Sequence, residues 1–212
     1  MGFNLIRFAL DPQYRAIKRW KWARGDEHLL LDVPLDADSI AIDAGFYQGS
    51  FATRAVARGC GRVLAFEPAP DFCEAAASLV KGLDGVELEC AGLSGFNGTA
   101  ELVYDNDGSS TQRGIEGRRV EIRLRRASEV VAGAGQDINL LKLNIEGDEY
   151  PVLEDLIETG TIRNVRTMMV QFHLIDETSR SRYAAIAEHL RDTHVLTWRY
   201  PFVWERWDRK PS

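Results

Sequence analysis

Cysteine is scarce in this chain, with only Cys60, Cys73 and Cys90 among 212 residues. Their number is odd and no pair has C-x-x-C spacing, so the sequence points to neither a cysteine zinc site nor a disulfide framework. They read as small core or surface residues of a reduced compartment. Long apolar runs are missing as well. The first ten residues are interrupted by Arg7 and end at Asp11-Pro12, too short and too broken for a signal peptide or a membrane span. Gly2 is not followed by Ser or Thr at position 6, so the myristoylation pattern is absent. Nor is there an excess of positive charge. With 26 Lys and Arg against 32 Asp and Glu, the net charge is −6, which argues against a surface built for nucleic acid. These absences describe a cytoplasmic protein without integral membrane contact.

What is present is enough apolar material, 45% of the residues, to fill one core. Residues 13 to 24 combine Tyr14, Trp20 and Trp22 with five cations and read as a short helix closed by Gly25. This segment, within a helical cap over residues 1–38, is expected to pack Ile17 and Trp20 or Trp22 on the body. A membrane surface or an anionic substrate is the alternative partner for its aromatic and cationic mix. From position 39 the pattern alternates: strands near 39–44, 62–67 and 86–90, helices near 49–58 and 70–81, as βαβ units require. Residues 99–104 and 119–124 alternate with period two, like half-buried strands, and the polar loop between them, Asp105 to Arg118, reads as a lid or substrate loop. The alternation resumes with a strand over 138–145, a helix through 149–159, a strand over 166–173 and a helix near 179–191. A final hairpin is expected from 195–198 and 202–204. The expectation is an α/β fold over residues 39–212, with one sheet of about seven strands between helices.

The chemistry is expected at the carboxyl ends of the parallel strands, where α/β folds bind ligands. Asp43-Ala44-Gly45-Phe46-Tyr47-Gln48-Gly49 follows the first strand, and Glu67-Pro68 closes the second. No glycine stands two residues after Gly45, so the G-x-G-x-x-G turn of dinucleotide sites is absent. Asp43 would repel a pyrophosphate and suits a cationic cofactor such as S-adenosylmethionine. Gly45 and Gly49 would let the backbone approach it, and Glu67 could accept hydrogen bonds from ribose hydroxyls. A second edge carries Asn144, Glu146 and Gly147, while Asp148 and Glu149 read as first-turn helix acids complementing the helix dipole. His173 ends the next strand and would take a proton from an acceptor hydroxyl. Glu146 could be the base instead, or orient His173, and spacing does not choose between them. Asn144, Glu146 and His173 could also ligate Mg²⁺ or Mn²⁺, although the favoured reading has no metal.

The runs IDAGFYQGSFA, FEPAP, AGLSGFNGTAELVY, LKLNIEGDEYPVL and MMVQFH, in this order over roughly residues 39–175, resemble the FkbM-type methyltransferase family. The resemblance implies a Rossmann-like class I methyltransferase fold of mostly parallel strands with an antiparallel C-terminal strand. It also implies S-adenosyl-L-methionine as cofactor and O-methylation of a sugar or another small hydroxylated metabolite. By the same resemblance, Asp43, Gly45, Gly49 and Glu67 look like cofactor-binding positions; Tyr47, Pro68 and Leu93 are expected to join them, and His173, Glu146 and Asn144 are the expected catalytic residues. Two positions depart from the family pattern: Asn144 replaces an aspartate and Gln171 a glutamate. Each keeps the shape and removes a negative charge, which motivates the alternative of a catalytically impaired cofactor binder acting as a sensor or pathway partner. Trp198, Tyr200, Trp204 and Trp207 are expected to cover the sheet edge rather than stack on a sugar. The final strands could pair across a homodimer.

Overall fold

In the computed structural model, which describes residues 4–105, 108–110 and 118–211, the apolar runs fold as the alternation requires. Helices α1 (Leu5–Leu10), α2 (Pro12–Trp22) and α3 (Gly25–His28) precede β1 (Ile40–Ala44), α4 (Ser50–Ala57), β2 (Arg62–Phe66), α5 (Pro70–Val80) and β3 (Val86–Glu89). Next come β4 (Gly92–Ser94), β5 (Gly98–Asp105), β6 (Gly108–Ser110) and β7 (Arg118–Arg126). The chain closes with α6 (Ala127–Gly133), β8 (Ile138–Leu143), α7 (Glu149–Glu158), β9 (Val165–Val170), α8 (Ser179–Thr193), β10 (His194–Tyr200) and β11 (Trp204–Arg209).

Seven strands form the main sheet in the order β10-β11-β9-β8-β1-β2-β3. From β9 to β3 the neighbours are parallel, whereas β11 runs antiparallel to both β9 and β10. All five residues of β1 are buried, as in a strand covered on both faces. Apolar residues from the two faces separate into two cores, one with Ile42, Leu141, Tyr150 and Trp207, the other with Trp20, Ala41, Phe51 and Trp204.

Two expectations need correction. The period-two segments do not join the main sheet: β5 and β7 pair antiparallel within a separate four-stranded sheet ordered β4-β7-β5-β6. Periodicity reports a half-buried strand but not its partner. Leu102, Ile122 and Leu124 instead close over Ala69, which gives this small sheet its own core. The lid expected between Asp105 and Arg118 lies largely outside the described residues; within it, β6 pairs with the end of β5. The cysteines also differ from expectation, because Cys73 on α5 and Cys90 after β3 are joined in a disulfide with a Cα–Cα distance of 5.6 Å. The βαβ crossover brings α5 beside the end of β3, a proximity that sequence spacing does not show. Only Cys60 is free, and it is buried. Closing a loop of 17 residues restricts the unfolded chain by about 3 kcal/mol. Reduction with dithiothreitol is therefore expected to lower Tm by roughly 6–12 °C; an unchanged melting curve, with thiol titration confirming reduction, would refute this contribution.

The N-terminal segment is part of the packed body. Asp11 caps α2 by accepting the Tyr14 N–H at 2.9 Å, and Pro12 starts the helix where its missing N–H costs nothing. Of the two candidate tryptophans it is Trp20 that packs, 4% exposed, with its ring centroid 5.2–6.1 Å from those of Tyr200, Trp198 and Trp204 in the C-terminal hairpin. Trp22 is 61% exposed.

Candidate active site

Four neighbouring parallel strands end side by side, and the residues just beyond them build the site. Gly45 N–H donates to Phe66 O, Asn144 N–H to Ala44 O, and Gln171 N–H to Leu143 O. Glu67, Gly45, Asn144 and Gln171 thus follow one another along the carboxyl edge at the strand spacing of about 4.8 Å.

At the β1 end, the Asp43 carboxylate is fully buried and holds Lys142 of β8, with Nζ 2.8 Å from Oδ1, while Oδ2 has no hydrogen-bond partner among the described residues. The same ammonium donates to Ala44 O (3.2 Å) and Gly45 O (2.7 Å), so it fastens the start of the turn from beneath. Burial pushes the Asp43 carboxyl upward and the Lys142 charge opposes this, with a net rise. A lysine inside the apolar run Leu140-Leu141-Lys142-Leu143 was itself a signal, because such a charge is buried only when paired.

Both glycines of the turn answer first to packing. Gly45 has φ +85°, and a Cβ there would lie 2.2 Å from Asn144 O; Gly49 has φ +70°, and its Cβ would press on Phe46 and Leu79. Between them Tyr47 is held at φ 50°, its side chain 55% exposed and edge-on to Phe72. The conformation of Tyr47 is fixed by Glu67, whose Oε2 accepts the Tyr47 N–H (2.8 Å) while Oε1 accepts the Ala69 N–H (3.0 Å). Glu67 therefore ties together the turns after β1 and β2. Burial raises its pKa against the lowering effect of these two bonds. Each of its oxygens retains a further lone pair. Pro68 is half-buried beside it, and Leu93 on β4 is 1% exposed in the core that also holds Ala44 and Phe66.

The β8 and β9 ends hold the second group. Asn144 Oδ1 is buried without a hydrogen-bond partner among the described residues. Glu146, at φ 53°, keeps its carboxylate 55% exposed, with Oε2 3.6 Å from His173 Nε2. The decisive residue here was not anticipated: Glu149 is no solvated helix acid but is fully buried. Its Oε1 accepts the His173 N–H (2.6 Å) and lies 2.9 Å from His173 Nδ1, and its Oε2 accepts the Gly147 N–H (2.8 Å). Tyr150 adds a fourth tie by donating its hydroxyl to His173 O at 2.7 Å. No signal in Glu146-Gly147-Asp148-Glu149 separates this role from dipole complementation. Asp148, the neighbouring acid, is pushed up to about 6 by burial and by the charge of Glu149. Burial pulls the His173 pKa down, but the Glu149 hydrogen bond and the charges of Glu149 and Glu146 outweigh it, so the net value lies above the ordinary 6.5.

His173 and Glu146 open into a cleft of about 350 Å³ with Gln171 at the strand end, Gln13 and Ile17 of α2 on one side, and Phe202 and Val203 of the hairpin turn on another. Its lining contains a carboxylate and no lysine or arginine among the described residues.

Comparison with known proteins agrees with this architecture. The model of the methyltransferase FkbM domain matches residues 43–194. Among solved structures, an rRNA methylase from Streptococcus thermophilus superposes with a TM-score of 0.51 at 11% identity, covering 100% of this chain and 99% of that one. A methyltransferase FkbM from Methylobacillus flagellatus KT gives 0.52 at 12% identity, over 93% of this chain and 55% of that longer protein. The Methanococcus jannaschii fibrillarin pre-rRNA processing protein gives 0.51 at 13% identity, over 91% and 75%. At these identities the superpositions show the fold alone. No curated protein sequence matches significantly. The family match spans most of the chain and includes both strand-edge groups, so the chain belongs to the FkbM family of S-adenosylmethionine-dependent methyltransferases.

Proposed function

We propose that the protein methylates a hydroxyl group of a small, uncharged acceptor, of the size and polarity of a sugar, held in the His173 cleft. The observation that carries this reading is the clamp on His173. Glu149 accepts hydrogen bonds from Nδ1–H and from the backbone N–H groups of His173 and Gly147 and so fixes the ring, leaving Nε2 as the free base on the side of Glu146 and the cleft. When bound, S-adenosylmethionine supplies an electrophilic methyl group on a sulfonium.

Residues at the strand edge fit that cofactor. Glu67 has acceptor capacity left on both oxygens for ribose hydroxyls, Asn144 Oδ1 is a buried acceptor awaiting a donor, and Gly45, Tyr47, Gly49 and Pro68 frame the turn between them. Asp43 acts through Lys142 as a support for the turn, and Leu93 as part of the core. His173 Nε2 accepts the proton lost by the acceptor hydroxyl, and the resulting imidazolium is held by Glu149 and Glu146. A cleft of about 350 Å³ sits at the small end of the usual pocket range of roughly 300–1,000 Å³, and its carboxylate disfavours phosphorylated acceptors.

Glu67→Ala removes two charge-assisted acceptors, and hydrogen bonds to charged groups contribute about 1.5–3 kcal/mol each. Its S-adenosylmethionine affinity is expected to fall about 10²-fold or more in titration calorimetry, with Glu67→Gln intermediate. Unchanged affinity in Glu67→Ala would remove Glu67 from the cofactor site.

A further inference from the structure

We propose that the helix pair α1–α2 docks this protein on an anionic lipid surface, with Leu5, Ile6 and Leu10 entering the interface and the cations of the pair facing the headgroups. Helix α1 buries none of its side chains. Leu5, Ile6 and Leu10 are 75%, 73% and 79% exposed, and Ile6 and Leu10 lie one turn apart on the same helix face. Single exposed leucines are ordinary on a soluble surface; three such aliphatic residues within six positions form a patch that needs a partner.

The patch is presented by a fixed element and not by a loose tail. Asn4 caps α1 by accepting the Arg7 N–H (3.0 Å), and its own N–H donates to the Tyr14 hydroxyl (3.0 Å). The Arg7 guanidinium lies 4.9 Å from the centre of the Tyr14 ring, and the Phe8 and Trp22 ring centroids are 5.4 Å apart. Tyr14 and Trp20 are in turn buried, so the pair is anchored to the body.

Charge chooses the occupant. Residues 4 to 24 hold six cations (Arg7, Arg15, Lys18, Arg19, Lys21 and Arg24) against one acid, Asp11, a net of +5 in a chain whose total is −6; Arg7 pairs with Asp11 at 3.1 Å and Arg24, just past α2, with Glu27. Exposed aliphatic side chains beside a basic face are the composition of helices that lie in a lipid interface, where apolar burial and attraction to anionic headgroups add. A single-stranded RNA would be served by cations and stacking rings and would leave the leucines and isoleucine unused. No helix of the described residues is long and apolar enough to cross a membrane, so the contact is peripheral.

The test is co-sedimentation of the full chain with phosphatidylcholine vesicles, with and without phosphatidylglycerol, at low and high sodium chloride. Binding is expected only with phosphatidylglycerol and is expected to weaken with salt. The triple variant Leu5→Glu, Ile6→Glu, Leu10→Glu and the double variant Arg19→Glu, Lys21→Glu should each lose about tenfold or more in partitioning, with the thermal melt unchanged because these side chains are exposed. Absence of binding to the anionic vesicles overturns the proposal. So does binding that the triple variant retains. Competition by a single-stranded RNA oligonucleotide that is indifferent to the triple variant would assign the basic face to nucleic acid instead. Self-association abolished by the triple variant, without vesicle binding, would assign the patch to a second copy of the chain.

Discussion

His173→Ala is expected to lower turnover about 10²- to 10⁴-fold, the usual contribution of a positioned general base, while leaving S-adenosylmethionine affinity within error. The effect is large because the imidazole is the group at the cleft whose free ring nitrogen and pKa both suit removal of a hydroxyl proton. Its pH dependence follows from the geometry. Only the neutral ring can act as base, so turnover should rise with pH through a midpoint above 6.5, since the carboxylates of Glu149 and Glu146 favour the protonated form. Glu149→Gln removes the nearer charge and should shift that midpoint downward, a change that a purely structural role for Glu149 would not produce. Stability runs the opposite way. A histidine whose folded pKa exceeds its unfolded value stabilises fully below the unfolded pKa, and this contribution disappears as pH rises through the folded pKa. Activity and thermal stability should therefore change in opposite directions across neutral pH, and steady-state rates beside melting curves would check both. A His173→Ala rate within threefold of wild type, about 0.6 kcal/mol of barrier, would eliminate the base assignment.

Lys142→Ala is expected to be the most damaging single substitution for folding near the site. The Lys142–Asp43 pair is 7% and 0% exposed in its two side chains, and removing one member of a buried pair costs about 3–5 kcal/mol because the remaining charge has no compensation. Here Ala44 O and Gly45 O lose a donor as well. Tm should fall by roughly 6–20 °C. The defect should be smallest in acid. An aspartate whose folded pKa exceeds its unfolded value is best tolerated when protonated, so its stability penalty grows as pH rises from the unfolded pKa through the folded one. The double variant Asp43→Asn, Lys142→Met should melt above Lys142→Ala at neutral pH. A Lys142→Ala protein that melts with wild type would show that the turn does not depend on this ammonium.

Much of the architecture was legible in the sequence because buried parallel strands read as short apolar runs, and the turns between them carry residues with few other uses. The strands around Ile42, Leu64 and Leu141 and the helices after Gly49 and Pro70 fall where the periodicity puts them. What it could not show is long-range pairing. Nothing local to Thr99–Tyr104 or Arg119–Leu124 says that these strands leave the main sheet, and nothing local to Cys73 says that Cys90 lies beside it. The site divides in the same way. Positions at strand ends, Gly45, Glu67, Asn144 and His173, are found by counting to the end of an apolar run. The residues that hold them are not, because Glu149 reaches His173 across 24 positions and Lys142 reaches Asp43 across 99. Asp43 is the instructive case, since the sequence places its carboxylate at a strand end but does not show the Lys142 ammonium that pairs with it. Gly45 and Gly49 are similar: their φ values and close neighbours account for glycine before any cofactor does.

The most direct measurement is release of S-adenosylhomocysteine from S-adenosylmethionine by the wild-type protein and by His173→Ala, over a panel of neutral glycosides and their phosphorylated counterparts. Acceptor-dependent release by the wild type with one or more neutral glycosides, little or none with the phosphorylated compounds, and at least about a hundredfold less release by His173→Ala is the expected result. Equal release by both proteins, or a preference for the phosphorylated acceptors, would contradict the assignment of His173 and its acidic cleft to hydroxyl methylation.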